Sequence, residues 1–237
     1  MKQGELLYLG KAKSVYLTDI QDELLMVFRD DITAFDGKKK NIFSKKGWYN
    51  AKVSAYFYSI LEAAGIPTHF LATAASNAHL VRRLSMFPLE FIVRNRAAGS
   101  LVRNYGFEEG EYLSPPLIVI DMKDDSHQDP MISDEIIVAR HIATHEELLE
   151  IKRLALEIND VLRKNLASKD LDLIDMKFEF GRDNAGMIRL GDEISMDSMR
   201  LWDHGVVGAS LDKDVYRHEL GDVKETYAQV AQRICGE

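Results

Sequence analysis

Five stretches of the chain carry side-chain types whose spacing suits chemistry on phosphates and carboxylates. The first is Leu9-Gly10-Lys11-Ala12-Lys13-Ser14-Val15-Tyr16. Here Gly10 lets a backbone turn approach a bulky anion, and Lys11 and Lys13 supply charge. Glycine-rich hairpins cover nucleotide phosphates in this way in kinase-type folds. Taken alone, the stretch is more simply an exposed turn with solvated lysines. Neither Gly-x-x-x-x-Gly-Lys nor Gly-x-Gly-x-x-Gly occurs, which removes two commoner nucleotide motifs. The second stretch, Phe28 to Lys38, places Asp30, Asp31, Thr33, Asp36 and Gly37 directly after a strand. It suits a substrate-orienting loop and a plain charged turn equally well.

The third stretch is Glu90 to Arg103 (EFIVRNRAAGSLVR). Strand alternation puts Arg94 and Arg96 on one face. Ala97-Ala98-Gly99-Ser100 then forms a small-residue turn leading into a helix. Guanidinium forks, a serine hydroxyl and free N–H groups at a helix start make a phosphate site. RNA binding fits less well, because no aromatic platform interleaves with the arginines. The fourth, Asp172 to Gly181, alternates: Asp175, Lys177 and Glu179 share one face, and Ile174, Met176, Phe178 and Phe180 the other. The fifth, Leu190 to Asp203 (LGDEISMDSMRLWD), ends a strand in adjacent acids. Paired antiparallel with the fourth, it brings Asp192 towards Glu179. Two carboxylates suit magnesium, which keeps waters and substrate phosphates as its remaining ligands. Each acid singly is most simply solvated; the conjunction of five segments points to phosphoryl transfer.

Histidine and cysteine add little. His141 and His145 have four-residue spacing, but Thr144 is the expected helix cap, so the pair does not share a helical face and zinc is rejected. His127, near Asp129, is read as a solvated loop residue. Cys235 is the one cysteine and no Gly-x-Ser-x-Gly elbow occurs, so disulfides and a serine triad are set aside.

These residues need elements to position them. Three β-type runs (Glu5–Leu9, Ser14–Thr18, Glu23–Arg29) predict an antiparallel meander. Trp48–Ala64 predicts a helix stopped by Gly65 and Pro67. Strands are expected at Thr68–Ala72, His79–Leu84, Leu89–Asn95, Leu117–Ile120, Leu171–Phe180 and Met187–Leu190. Asp121–Asp134 is expected as a polar loop, and Gly181–Gly186 as a turn. Thr144–Leu166 carries a capping-box pattern (Thr144, Glu147) and a stripe of Leu148, Ile151, Leu154, Ile158, Val161 and Leu162. Asp222–Ile234 predicts a last helix. The sum is an α+β protein of two lobes, residues 1–85 and 86–237, joined at Leu84–Pro88, with a ligand cleft between them. The 237 residues allow a sizeable core, and 30 basic against 38 acidic residues argue against a nucleic-acid coat. No apolar run is long enough for a membrane span. With no signal-peptide pattern at Met1–Glu5, a cytoplasmic setting is expected.

Together the five segments resemble the short bacterial form of phosphoribosylaminoimidazole-succinocarboxamide synthase (SAICAR synthetase) over essentially the whole chain. EFIVRNRAAGS at 90–100 and GDEISMDSMRLWD at 191–203 are the most specific pieces, supported by GKAKSVY at 10–16 and DMKFEFG at 175–181. Thr33 stands where the family usually has Ser, which keeps the hydroxyl. The resemblance implies a kinase-like or ATP-grasp-like cleft between an N-terminal antiparallel sheet with a helix and a larger mixed lobe. It implies three substrates: ATP, the carboxylated aminoimidazole ribonucleotide (CAIR) and L-aspartate. It also implies Mg2+, a homo-oligomer such as a dimer, and neither nucleic-acid nor membrane partners. By motif, Gly10, Lys11, Ala12 and Lys13 would cover the ATP phosphates. Val15, Met26 and Val81 would sandwich adenine, its edge met by backbone from Arg82 to Met86. Glu179 and Asp192 would hold magnesium. Arg94, Ser100 and Arg200 would grip the 5′-phosphate. Lys177 and Asp175, with Asp36 nearby, would lie beside the imidazole carboxylate, and Lys123 and Asp129 would serve the aspartate. A small-molecule kinase, another amide ligase and a non-catalytic nucleotide sensor are the competing readings.

Overall fold

The computed structural model describes residues 2–34, 39–127 and 129–236. The chain opens with the expected meander: β1 (Gln3–Leu9), β2 (Lys13–Thr18) and β3 (Glu23–Phe28). β4 (Asp31–Ala34) and β5 (Lys39–Ile42) then form a separate antiparallel ribbon where the sequence suggested only a charged loop; Asp36 lies outside the described residues. After helix α1 (Lys46–Ala63), β6 (Phe70–Ala75) and β7 (Ala78–Arg82) complete a five-stranded sheet in the order β1-β2-β3-β7-β6, antiparallel at every pairing. Leu24, Met26, Phe28 and Val81 of this sheet pack on Ala51 of α1.

The second sheet is built around one long strand. β8 (Ser85–Met86), β9 (Leu89–Arg96), α2 (Ser100–Tyr105), β10 (Tyr112–Met122), α3 (Asp134–Ala139) and α4 (His145–Ala167) lead to β11 (Leu171–Arg182), followed by β12 (Ile188–Gly191), β13 (Met199–Asp203), α5 (Asp214–His218) and α6 (Val223–Cys235). β11 pairs with β9 and β8 along one edge and with β13 and β12 along the other. Met176, Phe178 and Phe180 point into the main core, where they meet Leu148, Ile151, Leu154, Ile158 and Leu162 of α4. The helix starts where its capping box requires: the Glu147 N–H donates to Thr144 Oγ1 (3.2 Å), and the Thr144 N–H donates to Glu147 Oε2 (2.8 Å).

Three local expectations change. The connection at Leu84–Pro88 is itself paired, since β8 adds to β11. β11 also runs on through Gly181 instead of turning there. A Cβ on Gly181 would lie 2.8 Å from Leu84 Cβ, so the glycine lets the connection press against the strand. The supposed polar loop begins inside β10, which continues to Met122. Backbone bonds also tie the sheets together. The His69 N–H donates to the Leu190 carbonyl (2.8 Å), and the Leu190 N–H donates to that of Pro67 (3.0 Å). Meanwhile α1 gives Ala51 to the first sheet and Val53, Phe57 and Leu61 to the main core.

Candidate active site

The polar face of β11 carries Asp175, Lys177 and Glu179 in the order its alternation demands. Asp175 lies opposite Arg94 on one edge and Arg200 on the other. Arg94 donates to Asp175 Oδ2 (2.9 Å) and to Ser100 Oγ (3.0 Å). Arg200 donates to the same Asp175 oxygen and, through Nε, to Asp214 Oδ2 (2.7 Å). Three distant segments thus place two guanidiniums and a hydroxyl around one carboxylate. Gly99 has φ +59, and a Cβ there would lie 3.0 Å from Arg200 Nη2, so both backbone and space call for glycine. The helix that Ser100 opens, α2, is six residues long.

Further along β11, Lys177 donates to Glu90 Oε1 (2.6 Å) and to Glu179 Oε1 (3.1 Å), while Lys123 donates to Glu179 Oε2 (2.6 Å). The register sets Glu179 opposite Gly191, so Asp192 follows immediately beside it. Lys13 reaches across from β2 to Asp192 Oδ1 (2.6 Å), with Glu193 at 3.6 Å. Burial opposes the charge on Lys13 and Lys177. The surrounding acids, Asp192 first for Lys13 and Glu179 first for Lys177, outweigh it and hold both pKa values above the usual lysine range. Asp192 is the converse: burial disfavours its charge, yet Lys13 and Lys177 keep it well below the ordinary carboxylate range. The Gly10 hairpin and the paired acids therefore do meet, as the sequence pairing required.

The oxygen donors of Glu179 and Asp192 fit a hard divalent cation in charge and chemistry. Among the described residues no group of three or more acids, histidines or cysteines converges on one point. Such a cation would therefore need water and phosphate oxygens to complete its shell.

A cavity of about 1040 Å³ opens over this face. Arg94, Ser100, Asp129, Asp175, Lys177 and Arg200 line it, and it extends to Lys11 and Thr33. Its walls also include Asp197, Lys213 and Arg217, which sequence reasoning did not select. Asp197 stands inside the fifth segment; Lys213 and Arg217 carry no sequence signal beyond their four-residue spacing. Burial, the larger influence, pushes the Lys213 ammonium down. Lys123 is held at Glu179, and Asp129 accepts from the Asp124 N–H (2.8 Å). Val15 and Met26 are cross-strand neighbours, and Met26 and Val81 lie buried between the first sheet and α1. The Arg82 N–H donates to the His69 carbonyl, and Met86 is partly exposed above Gly181 and Gly191.

The family model for SAICAR synthetase matches residues 6–234. The phosphoribosylaminoimidazole-succinocarboxamide synthase of Methanoculleus marisnigri is 60% identical over 234 residues, 99% of this chain and 96% of that protein. A solved SAICAR synthetase (Type-2) in complex with ADP superposes with a TM-score of 0.94 at 44% identity, covering 98% of each chain. The crystal structure of phosphoribosylaminoimidazole-succinocarboxamide synthase from Ehrlichia chaffeensis gives 0.94 at 37%, covering 97% of this chain and 98% of that one. On the strength of the whole-length match and the shared fold, the chain belongs to the SAICAR synthetase family.

Proposed function

We propose that the chain joins L-aspartate to the carboxylate of CAIR at the expense of ATP, giving SAICAR, ADP and phosphate in purine (IMP) biosynthesis. The observation that carries this reading is the placement of Arg94 and Arg200 on opposite sides of Asp175, with Lys177 next on the same strand and one cavity above all four. A sugar phosphate anchored by Arg94, Ser100 and Arg200 leaves its base to extend along β11 towards Lys177. In this reading residues 86–237 hold the metal and the substrate, and residues 1–85 cover ATP across the intervening cleft. Gly10, Lys11, Ala12 and Lys13 lie over its phosphates. Adenine sits beside Val15, Met26 and Val81, near the backbone of Arg82 to Met86. Glu179 and Asp192 would hold Mg2+, which would supply positive charge against the phosphates.

A carboxylate is a poor acyl donor until one oxygen becomes part of a leaving group. We assign the first step to attack of the CAIR carboxylate on the γ-phosphorus of ATP, which releases ADP and forms an acyl phosphate. The aspartate amine then attacks the acyl carbon, a proton leaves the nitrogen, and phosphate departs. Lys177 stabilises the developing charge on the carboxylate side, and Asp175 lies beside it. Lys123 and Asp129 serve the incoming aspartate. The subunits are assigned to a homo-oligomer. Sustained ADP production over many turnovers should require CAIR and L-aspartate together, and 18O in the CAIR carboxylate should appear in the phosphate. ADP release without the imidazole would favour a different kinase or ligase, and label-free phosphate would exclude the acyl phosphate.

A further inference from the structure

One face of α1 carries four polar residues at successive intervals of four: Lys46, Asn50, Ser54 and Tyr58. Four-residue spacing puts them in one row along the helix. All four are buried, at 2%, 1%, 0% and 0% exposure, so the row does not face water. It faces the segment between β12 and β13. Tyr58 OH donates to the Asp192 carbonyl (2.7 Å). Ser54 Oγ accepts from the Ile194 N–H (3.3 Å). Asn50 Nδ2 donates to Asp197 Oδ2 (3.0 Å), and Lys46 pairs with the same carboxylate. Helix and segment therefore run alongside each other, joined at 192, 194 and 197.

The contacts matter because of what the segment must hold. Asp192 is a non-glycine residue at φ +60, a conformation that L side chains rarely adopt and that persists only when its surroundings impose it. Tyr58 supplies part of that constraint. Its single hydroxyl proton goes to the Asp192 carbonyl, and its oxygen faces His69 Nε2 at 3.0 Å, so His69 is the donor to it. His69 is anchored in turn by its N–H to the Leu190 carbonyl, one residue before Gly191. At the far end, Tyr227 OH donates to Asp197 Oδ1 (2.6 Å), and the Lys177 N–H donates to the Ser198 carbonyl (2.9 Å). The segment thus leads from the acid beside Lys13 to the wall of the substrate cavity, and α1 grips it along the way.

We propose that Lys46, Asn50, Ser54 and Tyr58 form a positioning rail that fixes residues 192–197, so that the Asp192 carboxylate is presented beside Glu179 to a divalent cation. This rests on the metal reading above. None of the four touches substrate; they act through the backbone and carboxylates of the segment. A row that merely satisfied buried polar groups would contribute to stability alone.

The test uses the full chain with ADP and Mn2+ as a spectroscopic stand-in for Mg2+, well below the melting temperature. In Tyr58→Phe and Ser54→Ala, Mn2+ affinity by electron paramagnetic resonance should fall about tenfold or more, as it does when outer-shell partners are removed. Hydrogen exchange of the 190–199 peptide should quicken. A lowered Tm with unchanged Mn2+ affinity and unchanged exchange would overturn the rail. Should Tyr58→Phe fail to fold, Ser54→Ala decides by the same criteria. Asp192→Asn separates the two readings. If it binds Mn2+ like the unaltered chain, the metal reading and the rail fall together. If it loses Mn2+ while the rail variants keep it, only the rail falls.

Discussion

At Asp175 one carboxylate oxygen serves two guanidiniums before any substrate arrives. The arrangement holds Arg94 and Arg200 facing one another and limits the rotamer entropy that anion binding would otherwise cost. Arg94→Ala and Arg200→Ala should each weaken affinity for the imidazole ribonucleotide by about 1.5–3 kcal/mol, the scale of a charge-assisted hydrogen bond. Because the two share Asp175, the double variant should lose less than the sum of the single losses. Isothermal titration in the absence of ATP measures all three, and unchanged affinity in both singles would remove the arginines from the site. Asp121, opposite Glu90 on β10, supplies a pH test. Burial, followed by the Glu90 carboxylate, pushes its pKa up to about 6. Between the unfolded value near 4 and this raised value, the folded state binds the extra proton. The penalty its charge places on the fold therefore grows as pH rises from about 4 to about 6 and is constant above that. Asp121→Asn should raise Tm at pH 8 and leave it little changed at pH 4, and a Tm difference independent of pH would contradict the assignment.

Among the elements, α1 has the most demanding neighbours: a polar row gripping the acidic segment, an apolar row in the main core, and a close approach to β3. A Cβ on Gly47 would lie 2.6 Å from the Phe28 carbonyl oxygen, which is backbone and cannot swing aside. Helix propensity favours alanine by about 1 kcal/mol, but overpacking costs about 1–3 kcal/mol and must here displace the whole helix. Gly47→Ala should therefore destabilise the chain in urea, and a gain in stability would show that α1 is not seated on β3 as described. The helix itself was legible in the sequence from Val53, Phe57, Ile60 and Leu61. Its Lys46-Asn50-Ser54-Tyr58 row had the same helical spacing but passes for a solvated face until the partner at 192–197 is seen. α4 was legible for the opposite reason: its cap and stripe are local and point to one core. β4, β5 and β8 were not, because two- and four-residue strands exist by virtue of distant partners. The face of β11 could be read, since alternation alone assigns Asp175, Lys177 and Glu179. Lys213 and Arg217 could not, because only the fold brings α5 over the cavity.

At the scale of the molecule, the first sheet supplies Lys13 and the second supplies Glu179 and Asp192, and Lys13 pairs with Asp192 across the junction of the two sheets. Lys13, Lys123 and Lys177 stand against Glu90, Glu179, Asp192 and Glu193, three ammoniums facing four carboxyl groups. A nucleoside diphosphate brings negative charge into that cluster, which a divalent cation offsets. Nucleotide and metal should therefore stabilise the chain together more than either does alone. A ligand bound only by the folded state contributes about 2.7 kcal/mol at a hundred times its Kd. For a chain of this size that corresponds to a rise in Tm of roughly 5–10 °C. Scanning calorimetry with ADP and Mg2+ should show a shift of that order, and EDTA should remove most of it. Glu179→Gln should behave with Mg2+ present as the unaltered chain does with EDTA, because it lacks one of the two carboxylates proposed to hold the cation. An ADP shift of equal size with Mg2+ and with EDTA would mean that the acids serve only to neutralise the lysines. Lys13 would then bind phosphate directly, with Asp192 as its counter-ion.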